Sequence, residues 1–247
     1  MSNEPIPCLQ PDSDELRFVS GESACPYLPG RLARHEAYWV ERLSGSHYET
    51  LMDRGFRRSG SVVYRPRCRN CRACQPIRIP VQEFERTKSQ QRVWRRNADV
   101  RVETGWPRVT RRKFQIFRDY LDARHDGTMA RSLEAFEQFL YDSPTDTIEF
   151  CYFLGPRLVA VSIADQCPGG ISSVYMFSDP AFSARSLGTF SILWEIDWCA
   201  DAALAHYYLG YFVPGSRTMS YKARFRPHEI LIEAGQWRPG FADGASR

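Results

Sequence analysis

Long apolar runs are missing from this 247-residue chain. No stretch approaches the roughly 18 hydrophobic residues that cross a bilayer, so no membrane-spanning helix is expected. The segment Met1–Gln10 lacks the positive region and apolar core of a secretory leader, and the expected location is cytoplasmic. Three catalytic signatures are also absent: the Gly-x-x-x-x-Gly-Lys-Ser/Thr phosphate loop, His-Glu-x-x-His and the Gly-x-Ser-x-Gly elbow. Their absence argues against nucleotide hydrolysis, zinc-helix proteolysis and a serine triad. Internal repeats and low-complexity linkers are missing too, which predicts halves that pack closely. Histidine is sparse, with five scattered residues. His125, after Arg124 at a predicted helix end, reads as a cap that complements the helix dipole.

Positive charge is plentiful and concentrated. Between Arg54 and Arg118 stand 19 Lys and Arg against 4 Asp and Glu, whereas the rest of the chain holds 14 against 25. The formal net charge of +4 therefore hides a polarised molecule. A one-signed segment beside an acidic remainder predicts a polyanionic partner, with phosphate neutralisation supplying salt-sensitive affinity. Arg92, Arg95 and Arg96, on a predicted helix with Trp94 and Asn97 interleaved, are the candidate contacts. Neither a zinc-finger recognition helix nor an aromatic RNA-binding strand is present, so base-specific duplex reading is not expected.

Eight cysteines occur, and in a reducing compartment they favour metal binding or burial over disulfides. Cys68-x2-Cys71-x2-Cys74 brings three thiols within reach of one centre, and Cys25, heading the loop Cys25-Pro-Tyr-Leu-Pro-Gly30, is a candidate fourth. Zinc and an iron–sulfur cluster both stay open, with reduced, unliganded thiols as the alternative. Neighbouring arginines favour thiolates. Cys8, Cys151, Cys167 and Cys199 read as buried or incidental.

Element signals divide the chain. Met1–Ser23 reads as a loose arm or edge strand. Ser44 and Ser46 can cap a short helix through Arg54, ended by Gly55. Ser61–Tyr64 and Ile77–Val81 read as strands flanking the cysteine loop. Helices are expected over Ser89–Ala98, Lys113–His125 and Leu133–Leu140. Ile148–Leu154, Leu158–Asp165 and Ser172–Phe177 then form a predicted strand meander, followed by a helix over Leu187–Leu204. Strands at Tyr207–Val213 and Glu229–Glu233 complete a mixed α+β fold. The expectation is two closely packed lobes, a Cys- and Arg-rich one over 1–100 and an acyltransferase-like one over 101–247.

The turn Ser183-Ala-Arg-Ser-Leu-Gly188, opening the long helix after a strand, resembles the donor-binding turn of GNAT-type acyltransferases. There, helix-start N–H groups face a phosphate or ester. Gly55-Phe-Arg-Arg-Ser-Gly60, Tyr64-Arg-Pro, Cys74-Gln-Pro-Ile-Arg-Ile-Pro-Val81 and Lys88-Ser-Gln-Gln-Arg-Val-Trp-Arg-Arg-Asn97 resemble the N-terminal region of aminoacyl-tRNA–protein transferases. Ser186-Leu-Gly-Thr189, Tyr208-Leu-Gly-Tyr211 and Met219-Ser-Tyr-Lys-Ala-Arg-Phe225 are similar to their C-terminal region. The resemblance runs from about Ser20 to Trp237 and favours the short bacterial branch. It implies a GNAT-like second lobe and transfer of leucine from leucyl-tRNA to proteins with N-terminal Asp or Glu. Arginine as donor is the alternative within the family, and a non-catalytic metal-dependent RNA-binding protein is the alternative outside it. The long eukaryotic branch carries Cys-x2-Cys in the first loop where this chain has Cys25-Pro-Tyr-Leu28, which weakens any carried-over iron–sulfur centre.

An aminoacyl ester is already activated, so such a transfer needs no cofactor and no covalent nucleophile. It needs a neutral α-amine held beside the carbonyl, a stabilised oxyanion and cations for the acceptor carboxylate. Candidates for the carboxylate pocket are Arg57 and Arg58 beside Ser59, and Lys222 and Arg224 after Tyr221. Tyr64, Arg78, Ser186, Gly188, Tyr208 and Tyr211 are further candidate substrate contacts, with one of the two last tyrosines expected to line the site and the other to pack. Asp179 and Glu195 are candidate bases, and Tyr175 a candidate proton relay.

Overall fold

The computed structural model describes residues 16–124 and 131–240. Cys8, His125 and most of the Met1–Ser23 arm lie outside these residues. The first half contains β1 (Leu16–Val19), β2 (Ser23–Ala24), β3 (Leu32–Ala33), β4 (His35–Trp39), α1 (Gly45–Met52), β5 (Arg57–Ser59), β6 (Val62–Pro66), β7 (Gln75–Pro80), α2 (Lys88–Arg96) and β8 (Val100–Gly105). Then come α3 (Arg111–Arg124), α4 (Leu133–Leu140), β9 (Thr147–Leu154), β10 (Arg157–Cys167), β11 (Gly170–Ser178), α5 (Leu187–Asp201), β12 (His206–Phe212), β13 (Glu229–Glu233) and β14 (Gln236–Pro239). Short 3₁₀ turns cover Val81–Glu83, Pro180–Arg185 and Ser220–Arg224.

Local chemistry accounts for the helix starts. The Ser44 hydroxyl accepts from His47 N–H at the start of α1. Thr87 and Gln90 form a reciprocal capping box on α2, and Ser132 caps α4. The first helix stops where Gly55 takes φ +84°, a conformation that favours glycine.

A mixed α+β architecture results. An eight-stranded sheet runs β14-β13-β7-β12-β11-β10-β9-β8, and a four-stranded sheet runs β1-β4-β6-β5. β9, β10 and β11 are the expected meander, each antiparallel to the next. Strand β7, from the cysteine-bearing region, lies inside the large sheet between β12 and β13, so both regions build one sheet. Residues alternate between its faces, as strand geometry requires. Phe150, Tyr152, Ala160 and Ala164 pack towards α5 with Leu187, Phe190, Leu193 and Ile196. Val161, Ile163 and Phe177 pack on the other face, against Ile116, Phe117 and Leu121 of α3 and Phe136 and Leu140 of α4. A third core joins α1 to the smaller sheet through Tyr48, Leu51, Met52, Phe56 and Val63.

One interior ion pair fastens the smaller sheet to the larger. Arg58 of β5 donates from Nε and Nη2 to the two carboxylate oxygens of Asp165 on β10, at 2.7 and 2.9 Å. Both side chains are fully buried, and Thr147 Oγ1 adds a bond to Asp165 at 2.7 Å. Removing one partner strands the other charge in the interior, which costs about 3–5 kcal/mol. Asp165→Ala is therefore expected to lower unfolding free energy by about that amount, read by urea denaturation; a loss below 1 kcal/mol would contradict the assignment.

Candidate active site at a fork between parallel strands

All strand pairs of the large sheet are antiparallel except one. β11 and β12, joined by α5, run parallel and pair only over Gly170–Ser172 and His206–Tyr208. Beyond these residues the two strands part, although β11 continues to Ser178 and β12 to Phe212. Each carries an irregularity near the parting point: the β10–β11 register shifts between Ile163 and Ala164, and the β12–β7 register shifts between Tyr208 and Gly210. Gly210 takes φ +92°, which a side chain rarely adopts.

Two cations occupy the fork. The Arg57 guanidinium enters from β5 and donates from Nη2 to the Ser173 carbonyl of β11 at 2.5 Å. Its other terminal nitrogen faces Met52 Sδ at 3.7 Å. Lys222 enters from the 3₁₀ turn after β12. A Cβ placed on Gly210 would stand 3.1 Å from Lys222 Nζ and 3.8 Å from Arg57 Nη2, so glycine is what leaves room for both. Arg57 and Lys222 are 7% and 8% exposed. Among the described residues no carboxylate pairs with either, and burial, then the Arg57 charge, lowers the Lys222 ammonium to about 7.

Tyrosines line the Arg57 side. The Tyr211 hydroxyl donates to the Gly55 carbonyl at 2.7 Å, and its ring lies 6.3 Å from that of Tyr64. Tyr48 bonds with Ser172 at 3.2 Å. Burial raises Tyr48, Tyr64 and Tyr211 despite the Arg57 charge, so all three keep their protons. Strict alternation would put Tyr208 and Tyr211 on opposite faces. With the Gly210 bulge between them, Tyr208 donates to Glu49 of α1 at 3.2 Å, while Tyr211 meets Gly55, just beyond that helix, and Tyr64 of β6. A glycine inside an aromatic strand was the sequence signal for that bulge; the Ser173 carbonyl had none.

The structure separates the other candidates. Arg58 is held by Asp165, as described, and is a tie between sheets. Arg78 pairs with Glu229 at 2.6 Å and lies 4.3 Å from the Trp237 ring centroid and 5.9 Å from that of Tyr208, so its charge is already matched. Arg224 is exposed, while Ser59 is half-buried on β5. Ser186, in a left-handed conformation, and Gly188 open α5. Tyr221 is partly exposed, and burial first, then Tyr120 and Glu195, raises its hydroxyl to about 12.

Asp179 caps the 3₁₀ turn after β11 and accepts from Arg112 and Arg157, each at 2.8 Å. Burial raises this carboxyl, but bonds from Arg157, Ala181 N–H and Arg112 outweigh it and hold the group below the ordinary range. It is therefore a weak base. Glu195 is completely buried and accepts from Tyr152 at 2.8 Å and Tyr207 at 2.7 Å. Burial raises it to about 7 against those hydrogen bonds. Tyr175 packs against Phe139 and Tyr120, and burial pushes its hydroxyl up.

Of the cysteines, Cys68 is buried while Cys25, Cys71 and Cys74 are half-buried free thiols. Burial and then the charges of Cys25, Cys68 and Cys71 push Cys74 up to about 12, so the four share a neighbourhood. Among the described residues, however, no three His, Cys, Asp or Glu side chains are grouped to hold a metal ion. Cys167 and Cys199 are buried and Cys151 half-buried.

On the basic segment, Arg65 and Arg67, with Arg17, surround the buried Glu36. Arg92, Arg95 and Arg96 of α2 stay exposed. The helix is pinned to the start of α5: Arg96 donates to the Ala184 carbonyl at 2.7 Å and Asn97 to the Arg185 carbonyl at 2.9 Å.

Burying Lys222 beside Arg57 is destabilising, with a defined pH sign. Unfolded, the chain holds that proton up to about 10.4, whereas the folded protein releases it near 7. Stability therefore rises with pH across that window. Lys222→Met is expected to raise unfolding free energy at pH 7 by about 1–4 kcal/mol and to flatten the rise above it. Chemical denaturation at pH 7 and pH 10 reads both, and a less stable variant at pH 7 would contradict the burial argument.

The family model for the N terminus of arginine-tRNA-protein transferase matches residues 23–92, and that for its C terminus matches residues 112–232. A protein named aspartate/glutamate leucyltransferase from Hahella chejuensis is 36% identical over 220 residues, covering 87% of this chain and 93% of its own. One of the same name from Pseudomonas fluorescens is 40% identical over 221 residues, covering 88% and 94%. Among solved structures, the C-terminal domain of a putative lysylphosphatidylglycerol synthetase from Agrobacterium fabrum is similar to 68% of this chain and 58% of its own, with 13% identity and a TM-score of 0.49. With both family models in order along the chain and relatives matched over nearly their full length, this protein belongs to the aminoacyl-tRNA–protein transferase family.

Proposed function

We propose that this protein transfers leucine from leucyl-tRNA to the α-amine of proteins beginning with Asp or Glu, marking them for degradation. The observation that carries the acceptor half is the pair Arg57 and Lys222, two buried basic groups at the Gly210 fork with no acidic partner among the described residues. Burial of unpaired charge is costly, and an entering carboxylate removes that cost. An acceptor side chain ending in a carboxylate is therefore selected over one ending in an amide.

The donor half rests on the neighbouring surface. Arg92, Arg95 and Arg96 project from α2, which is bonded to the turn preceding α5. A tRNA backbone on that face brings its acceptor end towards Ser186 and Gly188, where helix-start N–H groups suit an anion. The parted edges of β11 and β12 then receive the ester, in the manner of a GNAT-like lobe packed on the cysteine-bearing one. No helix among the described residues is long and apolar enough to cross a membrane, and a cytoplasmic location agrees with the substrates.

The chemistry uses no cofactor. The α-amine attacks the ester carbonyl, the bond to the terminal ribose breaks, and an amide forms. Approximation and hydrogen bonds to the developing oxyanion supply the acceleration. The cysteine neighbourhood takes no part in these steps and serves to order the loop before β7.

A transfer assay with individually charged tRNAs and short peptides tests the reading. Labelling of Asp- and Glu-starting peptides from leucyl-tRNA is expected, with none for Asn or Gly. Transfer from arginyl-tRNA instead would replace leucine as donor, and tight RNA binding without any transfer would favour a binding protein. Arg57→Ala is expected to lower kcat/KM for the Asp peptide by about 30-fold or more. A variant that keeps wild-type kcat/KM would remove Arg57 from the pocket.

A further inference from the structure

The reaction needs a base as well as a clamp. The acceptor arrives as an ammonium with a pKa near 8, and only its neutral form can attack. The carboxylates of the sheets and helices around the fork are committed: Asp165 is held by Arg58, and Glu49 accepts from Tyr208 and from the Gly169 N–H. Asp179 is held by Arg112 and Arg157, and Glu195 is enclosed with Tyr152 and Tyr207 donating to its two oxygens. The remaining nitrogen base at the fork is Lys222.

We propose that Lys222 is the base of the transfer as well as half of the acceptor clamp. It takes the proton of the acceptor's α-ammonium and, once charged, pairs with that same residue's side-chain carboxylate. This rests on the acceptor assignment made above and adds a proton route to it. The geometry carries the idea: Lys222 Nζ is pressed against the β12 backbone at Gly210, in a site where the other facing charge is Arg57. In an N-terminal Asp the amine and the carboxylate are separated only by Cα and Cβ, and Glu adds one carbon. A single lysine nitrogen can therefore serve both groups.

The surroundings explain why the acidic side chain matters to chemistry and not only to affinity. Facing the pair are Tyr48 from α1, Tyr64 from β6 and Tyr211 from β12, all protonated. On the lysine's own turn are Tyr221, also protonated, and the exposed Arg224. Glu195 on α5 acts on Tyr221 rather than on Lys222. Burial and Arg57 hold Lys222 near 7, so close to neutral pH a large fraction is uncharged and able to accept a proton. Charging it beside Arg57 is unfavourable until a carboxylate arrives. The acceptor's own side chain thus raises the basicity of the group that activates its amine, and an Asn or Gln acceptor leaves that base weak.

Protons balance along this route. The α-ammonium gives one proton to neutral Lys222, and the amine then attacks the ester carbon. The excess proton on the attacking nitrogen goes to the departing ribose oxygen as the carbon–oxygen bond breaks. Lys222 returns its proton to water as the product leaves, so one proton is released per transfer.

The test uses the full-length protein and a succinyl peptide, which is an Asp-starting peptide without its α-amine. Calorimetric titration at pH 8 in buffers of different ionisation enthalpy counts protons taken up on binding. Close to one proton per bound succinyl peptide is expected for the wild type, and less for the free-amine Asp peptide, which supplies its own. Lys222→Arg stays charged and is expected to bind succinyl peptide with no uptake. Its kcat should fall about 100-fold or more, with KM changed only a few-fold, and the rise of kcat/KM through pH 7 should disappear. Wild-type binding without proton uptake overturns the base assignment while leaving the clamp intact. Retained kcat in Lys222→Arg overturns it equally, and failure of the wild type to bind succinyl peptide removes the acceptor reading as well.

Discussion

A buried arginine and a buried lysine that face each other, with no carboxylate paired to either among the described residues, are the central tension of this fold. Arg57 has the Ser173 carbonyl, and Lys222 has a glycine against which to rest. Like charges in a dry site repel and lose their hydration, so the arrangement lasts only because the surrounding structure is over-determined. β5 is fixed by the Arg58–Asp165 pair directly beside Arg57, and Tyr48, Tyr64 and Tyr211 fill the space around the guanidinium. Adjacent arginines thus have different partners: Arg58 binds a carboxylate of the other sheet, and Arg57 a backbone carbonyl.

The sheet explains where this tension is placed. Antiparallel neighbours can stay paired along their length, whereas the parallel pair β11–β12 depends on the α5 crossover and separates after three residues on each strand. Bulges on both sides widen the gap. The small sheet contributes Arg57, the turn after β12 contributes Lys222, and the large sheet's own edges supply the backbone. No single segment of the sequence holds the site.

Much of the architecture was legible because its signals are local. Ser44, Thr87 and Ser132 mark the starts of helices that the structure contains. Alternation and turn residues placed β9, β10 and β11 within a residue or two. β4, β5 and β8 were not read as strands; β5, with three residues, is too short for a period to register. At the site, Arg57, Lys222, Tyr64 and Tyr211 were legible as candidates from motifs alone. Their division from Arg58, Arg78 and Asp179 was not, because it depends on partners 107, 151 and 67 residues away.

By itself the sequence determined the class of molecule: a polarised α+β protein whose ordered motifs run along nearly the whole chain. It also determined the chemical inventory, with arginine forks, a lysine and tyrosines in place of a nucleophile and a phosphate loop. Which arginine is tied to a carboxylate and which carboxylate is committed were decided only by tertiary structure. The physical reason is range. Capping and alternation act over a few residues, but the charge state of Lys222 is set by burial and by Arg57, far away in sequence and adjacent only after the sheets have closed.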